Sequence, residues 1–391
     1  MVNFVDNYRI MKIGFDGKRA VSNMTGLGNY SRLVIESLSS EYPDDELVVY
    51  TPRLTHNKRL EKIVSSSNVS FRTPAKGEAR LGNSLWRIHG ITQSLRNDRI
   101  ELYHGLSNEL PLNIAKCGIP TVVTMHDVIY RRLPYCYKAI DRYLYNWKYG
   151  ESCRNATKIV AVSERTKLDV MEYYGIPEER IEVIYQGCDD IFRKQWGPTE
   201  ISSLRHKYRL PGRYIVQVGT IERRKNAELG IRALAALPAD THLVLVGRPT
   251  SYYDKIMKEA IRLGTRNRII HLQDVPFAEL PGIYQGAAAA IYPSRYEGFG
   301  IPVLEALASR IPCVAATGSC LEEAGGDAAV YISPDDAAAL AEALRAIISG
   351  SAPTEQMISL GVAHASRFDN ADVASKLHEL YCRMLGRNSD T

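Results

Sequence analysis

The sequence predicts an α/β fold with two doubly wound, parallel-sheet domains of Rossmann-like type that face each other across a cleft. Three observations lead to this prediction. The chain has 391 residues, more than one hydrophobic core usually organises. Short apolar segments alternate with helical patterns, which is typical of parallel sheets covered by helices on both faces. The alternation is interrupted at 186–212, where two prolines and three glycines predict a linker.

The first half contains six strand candidates, each an apolar or β-branched run bounded by turn residues. They are Lys12–Asp16, Glu46–Thr51, Ile100–His104, Thr121–Thr124, Lys158–Val162 and Ile181–Tyr185. Helical patterns lie between them at Tyr30–Ser39, Leu85–Arg96 and Ser163–Tyr173. We therefore assign residues 1–190 to the first domain, with 1–10 as an extension outside its sheet, and 191–212 to the linker.

A second alternation follows the linker. Its strand candidates are Tyr214–Gly219, His242–Val246, Arg268–Leu272, Ala288–Tyr292, Cys313–Ala315 and Ala329–Ile332, with helical patterns at 227–236, 252–263, 301–309 and 335–349. Residues 213–369 are accordingly the second domain. Ligands of open parallel sheets bind beyond the carboxyl ends of the strands, so the cleft between the domains is the expected site.

Composition and charge exclude several classes of protein. Seven cysteines without a CxxC pair argue against a disulfide framework or a zinc site and favour a reducing compartment, most simply the cytoplasm. The net charge of +5 is too small for a nucleic-acid-binding domain, so no nucleic-acid partner is expected. No apolar run reaches the roughly 18 residues that span a bilayer, and the first ten residues lack the features of a secretory signal.

The most informative segment is 292–308, which reads YPSRYEGFGIPVLEALA and follows a predicted strand. Gly298 and Gly300 allow a ligand to approach the backbone closely. A helix that begins after them presents free N–H groups and the positive end of its dipole, which suits a pyrophosphate. Glu297 and Glu305 flank this turn, and their carboxylates match the paired hydroxyls of a sugar or ribose.

Two glycine-containing turns add candidates for phosphate binding. The turn VGTIERRKN (218–226) follows the first strand of the second half, and the side chains of Arg224 and Lys225 suit a diphosphate. The loop SNMTGLGNYS (22–31) follows the first strand of the chain and contains Gly26 and Gly28. This loop lacks the third glycine of a dinucleotide fingerprint, which disfavours a Rossmann dehydrogenase.

Polar residues at strand ends of the first domain also point to the cleft. His126 and Asp127, in the string TMHD, end a predicted strand, and His104 ends the preceding one. Ser163 opens a predicted helix, where a serine suits the N-cap. From these residues alone a purely structural role is the alternative in each case.

The string EGFGxPxxEA with its E-x7-E spacing resembles the retaining glycosyltransferases of family 4, which have the GT-B fold. The turn at 218–226 resembles the family's GTxExRKN turn, and the segment at Ser163 resembles its V-S-E sequence. The resemblance implies that His126, Asp127 and Glu297 are catalytic, and that the final helix at 370–388 packs back on the first domain. It implies a donor site formed by Gly26, Gly28, Arg224, Lys225, Asp274, Val275, Gly298, Phe299, Gly300, Val303, Leu304 and Glu305.

Individual roles also follow from the resemblance. The family often has proline where this chain has Arg223, which leaves open whether Arg223 or Arg224 faces the phosphates, and Arg224 is the one assigned. Glu305 is expected to hold the ribose, and Glu297 to lie against the transferred sugar. Backbone groups near Asp274 are expected to contact the base.

The implied activity is transfer of a hexose from a nucleotide diphosphate donor to a saccharide or polyprenyl-linked acceptor in surface polysaccharide synthesis. The resemblance implies that the transfer retains the anomeric configuration and requires no metal or cofactor. Mannose from GDP-mannose is the first choice of donor, followed by a UDP-sugar. The alternatives are a sugar-nucleotide epimerase of the same fold and a donor-binding relative without transfer activity. Residues 130–149, which interleave tyrosines with basic side chains, are either a solvated helix flank or a peripheral contact with the inner face of a membrane.

Overall fold

The computed structural model of the protein describes residues 10–55, 58–75, 82 and 85–387. Over these ranges the chain forms two parallel sheets with helices packed on them. The predicted α/β class and the two doubly wound domains are confirmed. Of the predicted N-terminal extension at 1–10, all but Ile10 lies outside the described residues.

The first sheet has seven strands in the described part of the chain, in the order β3-β2-β1-β4-β5-β6-β7, and every neighbouring pair is parallel. The strands are β1 (Lys12–Asp16), β2 (Glu46–Tyr50), β3 (Val69–Arg72), β4 (Leu102–Gly105), β5 (Thr121–Met125), β6 (Lys158–Ala161) and β7 (Ile181–Val183). Most of their residues are buried, because helices cover both faces. The edge strand β3 was not predicted, since its four partly exposed residues form no apolar run.

The second sheet has six strands among the described residues, in the order β10-β9-β8-β11-β12-β13, again all parallel. They are β8 (Tyr214–Val218), β9 (His242–Val246), β10 (Ile269–Leu272), β11 (Ala289–Tyr292), β12 (Cys313–Ala316) and β13 (Val330–Ile332). All six agree with the predicted strands to within a residue at each end.

Helices connect the strands in both domains. In the first half they are Lys18–Ser22, Gly26–Glu41, Glu61–Ser65, a π-helical turn at Trp86–Gly90, Ile91–Asn97, Ile129–Arg132, Ala139–Asn155 and Glu164–Tyr174. In the second half they are Pro198–Tyr208, Ala227–Leu234, Tyr252–Arg262, Leu280–Gln285, Ile301–Ala308, Leu321–Gly325, Ala337–Ser349, Thr354–Ala365 and Asn370–Leu385.

The segment 191–212, predicted to be a linker without regular structure, contains one of these helices. Pro198–Tyr208 places Leu204 in the core of the second domain. The glycines and prolines that suggested a linker lie at its ends, where Gly197 is the N-cap and Pro198 occupies the first turn.

The chain passes between the two domains twice, at adjacent places. The N–H of Cys188 donates a hydrogen bond to the carbonyl oxygen of Phe368 at 3.1 Å, so the outgoing and returning segments lie side by side. The final helix, Asn370–Leu385, then packs against Gly26–Glu41 and contributes Tyr381 to the core of the first domain. The first domain is therefore built from both ends of the chain.

Candidate active site

The second domain gathers charged side chains where its strand order reverses. β8 and β11 are neighbours, and their onward connections lead to opposite sides of the sheet, which opens a crevice at their carboxyl ends. The turn after β8 carries Arg224 and Lys225, and the loop after β11 carries Glu297. The fold therefore brings these two predicted donor-binding segments together.

Glu297 lies at the centre of this cluster and is only 9% exposed. Its Oε2 is 2.5 Å from Arg224. Its Oε1 accepts hydrogen bonds from Lys225 at 3.2 Å, Tyr292 at 2.8 Å and Ser294 at 2.7 Å. Burial alone would raise the pKa of Glu297, but the two cations and the Ser294 hydroxyl outweigh it and lower the pKa to about 2. The carboxylate is therefore ionised and held by four donors from the protein.

The two cations carry their charge in different surroundings. Arg224 donates to the carbonyl oxygen of Tyr296 at 2.9 Å and to Glu222 at 2.7 Å. Burial acts against its charge, but Glu297 and Glu222 outweigh burial and keep the pKa of Arg224 well above its usual range. For Lys225 burial dominates and lowers the pKa. The two glutamates and the two cations together have no net charge.

Arg224, the residue assigned to the phosphate clamp, is the arginine that reaches this cluster. Arg223 points away from it, and its guanidinium lies 4.6 Å from the ring centre of Tyr135 in the first domain. The turn ends at Asn226, which has a left-handed φ of 57°. The Asn226 amide donates to the carbonyl oxygens of Pro293 at 3.1 Å and Pro334 at 2.8 Å, which fixes the turn against the neighbouring loop.

The helix Ile301–Ala308 begins at the same crevice, as predicted from its glycines. Gly300 precedes it with a φ of 145°, which favours glycine. The Glu305 carboxylate is 8% exposed and accepts a hydrogen bond from Tyr284 at 3.1 Å. Because no cation outweighs the effect of burial, the pKa of Glu305 rises to about 7. Near neutral pH Glu297 is therefore fully ionised, whereas Glu305 is only partly ionised.

The two domains meet main chain to main chain at Gly298. A Cβ atom at this position would lie 1.8 Å from the carbonyl oxygen of His126. The carbonyl oxygen of Gly298 accepts hydrogen bonds from the hydroxyls of Ser163 at 2.6 Å and Thr166 at 3.1 Å. The Ser163 hydroxyl also caps its helix by accepting from the N–H of Thr166. Ser163 therefore both caps a helix and lines the contact between the domains.

His126 lies at the carboxyl end of β5, directly opposite Gly298. Its Nε2 donates to the carbonyl oxygen of Leu106 at 2.9 Å, and its Nδ1 accepts from the amide of Gln186 at 3.0 Å. The ring meets Tyr30 edge to face, with centroids 4.7 Å apart. Burial lowers the pKa of His126 to about 4, so the imidazole is neutral and its orientation is fixed.

Asp127 is half-buried beside the same contact. Its Oδ1 accepts from the N–H of Ile129 at 3.1 Å and so orders the start of a short helix. Burial raises the pKa of Asp127, while the charges of Arg224 and Glu297 act on it from across the cleft. The Asp127 side chain is therefore close enough to the cluster of Arg224, Lys225 and Glu297 to interact with its charges.

A second contact between the domains involves residues that the sequence did not indicate. The Glu323 carboxylate of the second domain accepts from the N–H groups of Glu164 at 2.7 Å and Arg165 at 3.0 Å, at the start of a first-domain helix. The Tyr296 hydroxyl donates to Asp169 and accepts from Arg165 at 2.6 Å. Tyr296 directly precedes Glu297, so its contact holds the loop that carries Glu297 against the first domain.

Comparisons with known proteins identify the family of the chain. The model of Glycosyltransferase Family 4 matches residues 25–191, and the model of Glycosyl transferases group 1 matches residues 202–361. The chain belongs to the glycosyltransferases of the GT-B fold. The resemblance to family 4 is thereby confirmed, and the epimerase alternative is not favoured.

Similar proteins span nearly the whole glycosyltransferase. The O-antigen chain mannosyltransferase B of Escherichia coli is 28% identical over 377 residues, covering 92% of this chain and 96% of the relative. The O-antigen chain mannosyltransferase RfbU of Salmonella typhimurium is 26% identical, covering 80% and 84%. The crystal structure of Anabaena HepE in complex with UDP and glucose has the same fold, with a TM-score of 0.76, 21% identity, and coverage of 95% and 100%.

The remaining predicted donor residues of the glycosyltransferase occupy different environments. Gly28 is sterically required, because a Cβ there would lie 1.9 Å from the carbonyl oxygen of Asn23, whereas Gly26 is exposed and has open space around it. Val303 and Leu304 are fully buried. Their side chains therefore belong to the core of the second domain and do not reach a ligand.

Aromatic packing and backbone shape place three more of the predicted residues. Phe299 stacks on Tyr185 with ring centroids 5.5 Å apart, inside the core between the crossing segments. Asp274 is exposed with a left-handed φ of 55°, and Val275 is half-buried beside it. These two residues follow β10, which is an edge strand of the second sheet. β9 and β8 lie between β10 and β11.

His104 lies below the cleft and not in it. Its Nδ1 is 2.6 Å from the Tyr381 hydroxyl, and its Nε2 is 2.8 Å from the Thr124 hydroxyl. Burial lowers the pKa of His104 to about 3. His104 therefore lies beneath the site and connects β5, through Thr124, to the final helix, through Tyr381.

Two sets of residues were not predicted as site residues. Tyr292 and Ser294 donate hydrogen bonds to Glu297. Both lie in the segment 292–308, and this position could have indicated them as site residues. Asp169 and Glu323 gave no sequence signal.

Within the described ranges, no group of three His, Cys, Asp or Glu side chains could hold a metal ion. No helix in those ranges combines the length and apolar character needed to cross a bilayer.

Proposed function

We propose that this glycosyltransferase transfers a hexose from a nucleotide diphosphate donor to a saccharide or polyprenyl-linked acceptor in surface polysaccharide synthesis. Mannose from GDP-mannose is the first candidate donor, which the similarity to two O-antigen chain mannosyltransferases supports. A UDP-sugar is the second candidate, in keeping with the UDP bound to HepE.

One observation carries the proposal. Arg224, Lys225 and Glu297 meet where the strand order of the second sheet reverses, beside the start of the helix Ile301–Ala308. Cationic side chains and the N–H groups of a helix start suit a diphosphate. Glu305, on the same helix, suits the ribose hydroxyls once it is ionised. The site thus offers partners for the diphosphate and for the ribose of a nucleotide diphosphate.

In this proposal no metal ion or cofactor takes part. Charge develops on the diphosphate as its bond to the sugar breaks, and fixed cations and the helix start stabilise it. The ionised Glu297 stabilises the oxocarbenium-like centre, and the fixed ring of His126 borders the sugar. The acceptor oxygen attacks the face that the diphosphate leaves, and its proton passes to the departing diphosphate, which retains the anomeric configuration.

A donor screen tests the proposal. Purified protein is incubated with labelled GDP-mannose and UDP-glucose, and released sugar, transferred sugar and isomerised donor are separated. We expect transfer, or slow hydrolysis without acceptor, with one of the two donors. Lys225→Ala should lose this activity, whereas Lys258→Ala, an exposed lysine of the same domain, should keep it. An isomerised donor, or equal activity in both variants, contradicts the proposal.

We further propose that the helix Ala139–Asn155 contacts the inner face of the membrane where a lipid-linked acceptor is anchored. Four apolar side chains spaced along one helix face are exposed, namely Ile140, Tyr143, Leu144 and Trp147. Residues 130–149 carry five basic side chains and one acidic one, which complements anionic lipid.

Vesicle sedimentation tests this contact. Wild-type protein should sediment with vesicles that contain anionic phospholipid and much less with purely zwitterionic vesicles. Replacing Tyr143 and Trp147 by serine should abolish sedimentation, whereas Leu168→Ser, an equally exposed apolar residue of the same domain, should not. Equal sedimentation of both variants would argue against a membrane contact through this helix.

A further inference from the structure

Arg19 is a cation on the first-domain side of the cleft that has no partner among the described residues. It lies in the helix Lys18–Ser22, which begins beyond the carboxyl end of the central strand β1. Its carbonyl oxygen accepts from the N–H of Asn23, and a Cβ on Gly28 would lie 3.0 Å from that oxygen. Arg19 is thus packed against the glycine loop that faces the cleft.

The residue Arg19 is half-buried, yet its guanidinium makes no hydrogen bond or ion pair with any residue in the ranges that the structure describes. Two other arginines around the cleft are matched by carboxylates. Arg87 is bound by Asp16 and Glu109, and Arg224 is bound by Glu297. A partly buried cation without an anion points to an anion that arrives with a ligand.

The position of Arg19 relates it to the reaction centre. Its charge acts on the imidazole of His126, whose main chain touches Gly298 of the second domain. The clamp itself is neutral, because Glu222 and Glu297 balance Arg224 and Lys225. A bound diphosphate carries at least two negative charges, so further positive charge is needed from the opposite wall of the cleft.

We infer that Arg19 is a phosphate-binding residue of the first domain, opposite the clamp of the second. The inference rests on the proposed function, since it takes a nucleotide diphosphate or a lipid-linked acceptor as the ligand. The phosphate can come from either source, namely the donor's diphosphate or the phosphate of the acceptor. In both cases Arg19 meets its anion only when the ligand is in the cleft.

Binding and kinetics of Arg19→Gln and Arg19→Lys test the inference. Calorimetric titration with GDP and UDP measures the donor source. Transfer kinetics with a polyprenyl-diphosphate-linked saccharide and with the same saccharide free of phosphate measure the acceptor source. Arg99→Gln is the matched control, because Arg99 is exposed and precedes β4 at the opposite end of the same sheet. Melting temperatures should not change, since Arg19 has no partner to lose.

If Arg19 binds the phosphate of the donor, Arg19→Gln should weaken nucleotide diphosphate binding about tenfold or more, with partial recovery in Arg19→Lys. If Arg19 binds the phosphate of the acceptor, nucleotide binding stays normal and KM rises about tenfold for the phosphate-bearing acceptor alone. If Arg19→Gln leaves both measurements unchanged while the wild type binds GDP or UDP, the inference is wrong and the proposed function stands. If the wild type binds neither nucleotide, the proposed function and the inference both fail.

Discussion

Replacing Gly298 by alanine is expected to prevent full closure of the cleft without unfolding either domain. The new Cβ would lie 1.8 Å from the carbonyl oxygen of His126, and real Cβ atoms essentially never come closer than 3.0 Å. The nearest atoms are main-chain atoms of His126, so no side-chain rotation relieves the clash. The domains must therefore separate by about 1.2 Å at this point, the difference between those two distances. A misplacement of about 1 Å costs on the order of 10²-fold in rate.

Steady-state transfer kinetics and nucleotide titration together measure this effect. The kcat of Gly298→Ala should fall by about two orders of magnitude. Binding of the nucleotide diphosphate to the second domain should change far less. Gly212→Ala is the matched control, because a Cβ there meets nothing within 4 Å. A kcat within about twofold of wild type in Gly298→Ala would refute the argument that the domains must touch at this glycine during catalysis.

Three further outcomes are expected. Lys225→Ala should weaken GDP or UDP binding at least about tenfold, because a charge-assisted contact of roughly 1.5–3 kcal/mol is lost; wild-type affinity by calorimetry would rule out the clamp. Nucleotide diphosphate affinity should rise from pH 6 to pH 8, because Glu305, whose pKa burial raises to about 7, accepts ribose hydrogen bonds with both carboxyl oxygens, and more strongly, when it is ionised; Glu305→Gln should lose this component, and an unchanged pH profile in that variant would count against it. Turnover should persist in excess EDTA, since side chains and a helix start supply the charge, and loss restored by Mg²⁺ or Mn²⁺ would overturn that mechanism.

Local patterns were enough to predict most of the fold. Strands such as β8 and β9 are apolar runs with clear ends, because a parallel sheet buries both of its faces. The loop and helix at 292–308 were predicted because glycine, proline and glutamate each have a local reason to occur there. The helix Pro198–Tyr208 was missed because the glycines and prolines at its ends dominated the pattern.

Contacts between distant parts of the chain could not be predicted in this way. Glu323 caps a helix that begins about 160 residues earlier, and nothing in its own neighbourhood indicates this partner. The choice between Arg223 and Arg224 likewise depended on Tyr135 and Glu297, which lie far away in sequence. Sequence patterns report local geometry, whereas the pairing of charges depends on how the two domains meet.

The adjacent crossings of the chain at Cys188 and Phe368 give the molecule the mechanics of a hinge along one edge. Because both connections lie within hydrogen-bond distance, rotation about that edge separates the walls of the cleft while the two connections hardly stretch. The same arrangement makes the second domain an insertion whose two ends meet. Residues 189–367 can therefore be exchanged as a single cassette, which would combine the donor site of a relative with the acceptor domain of this chain.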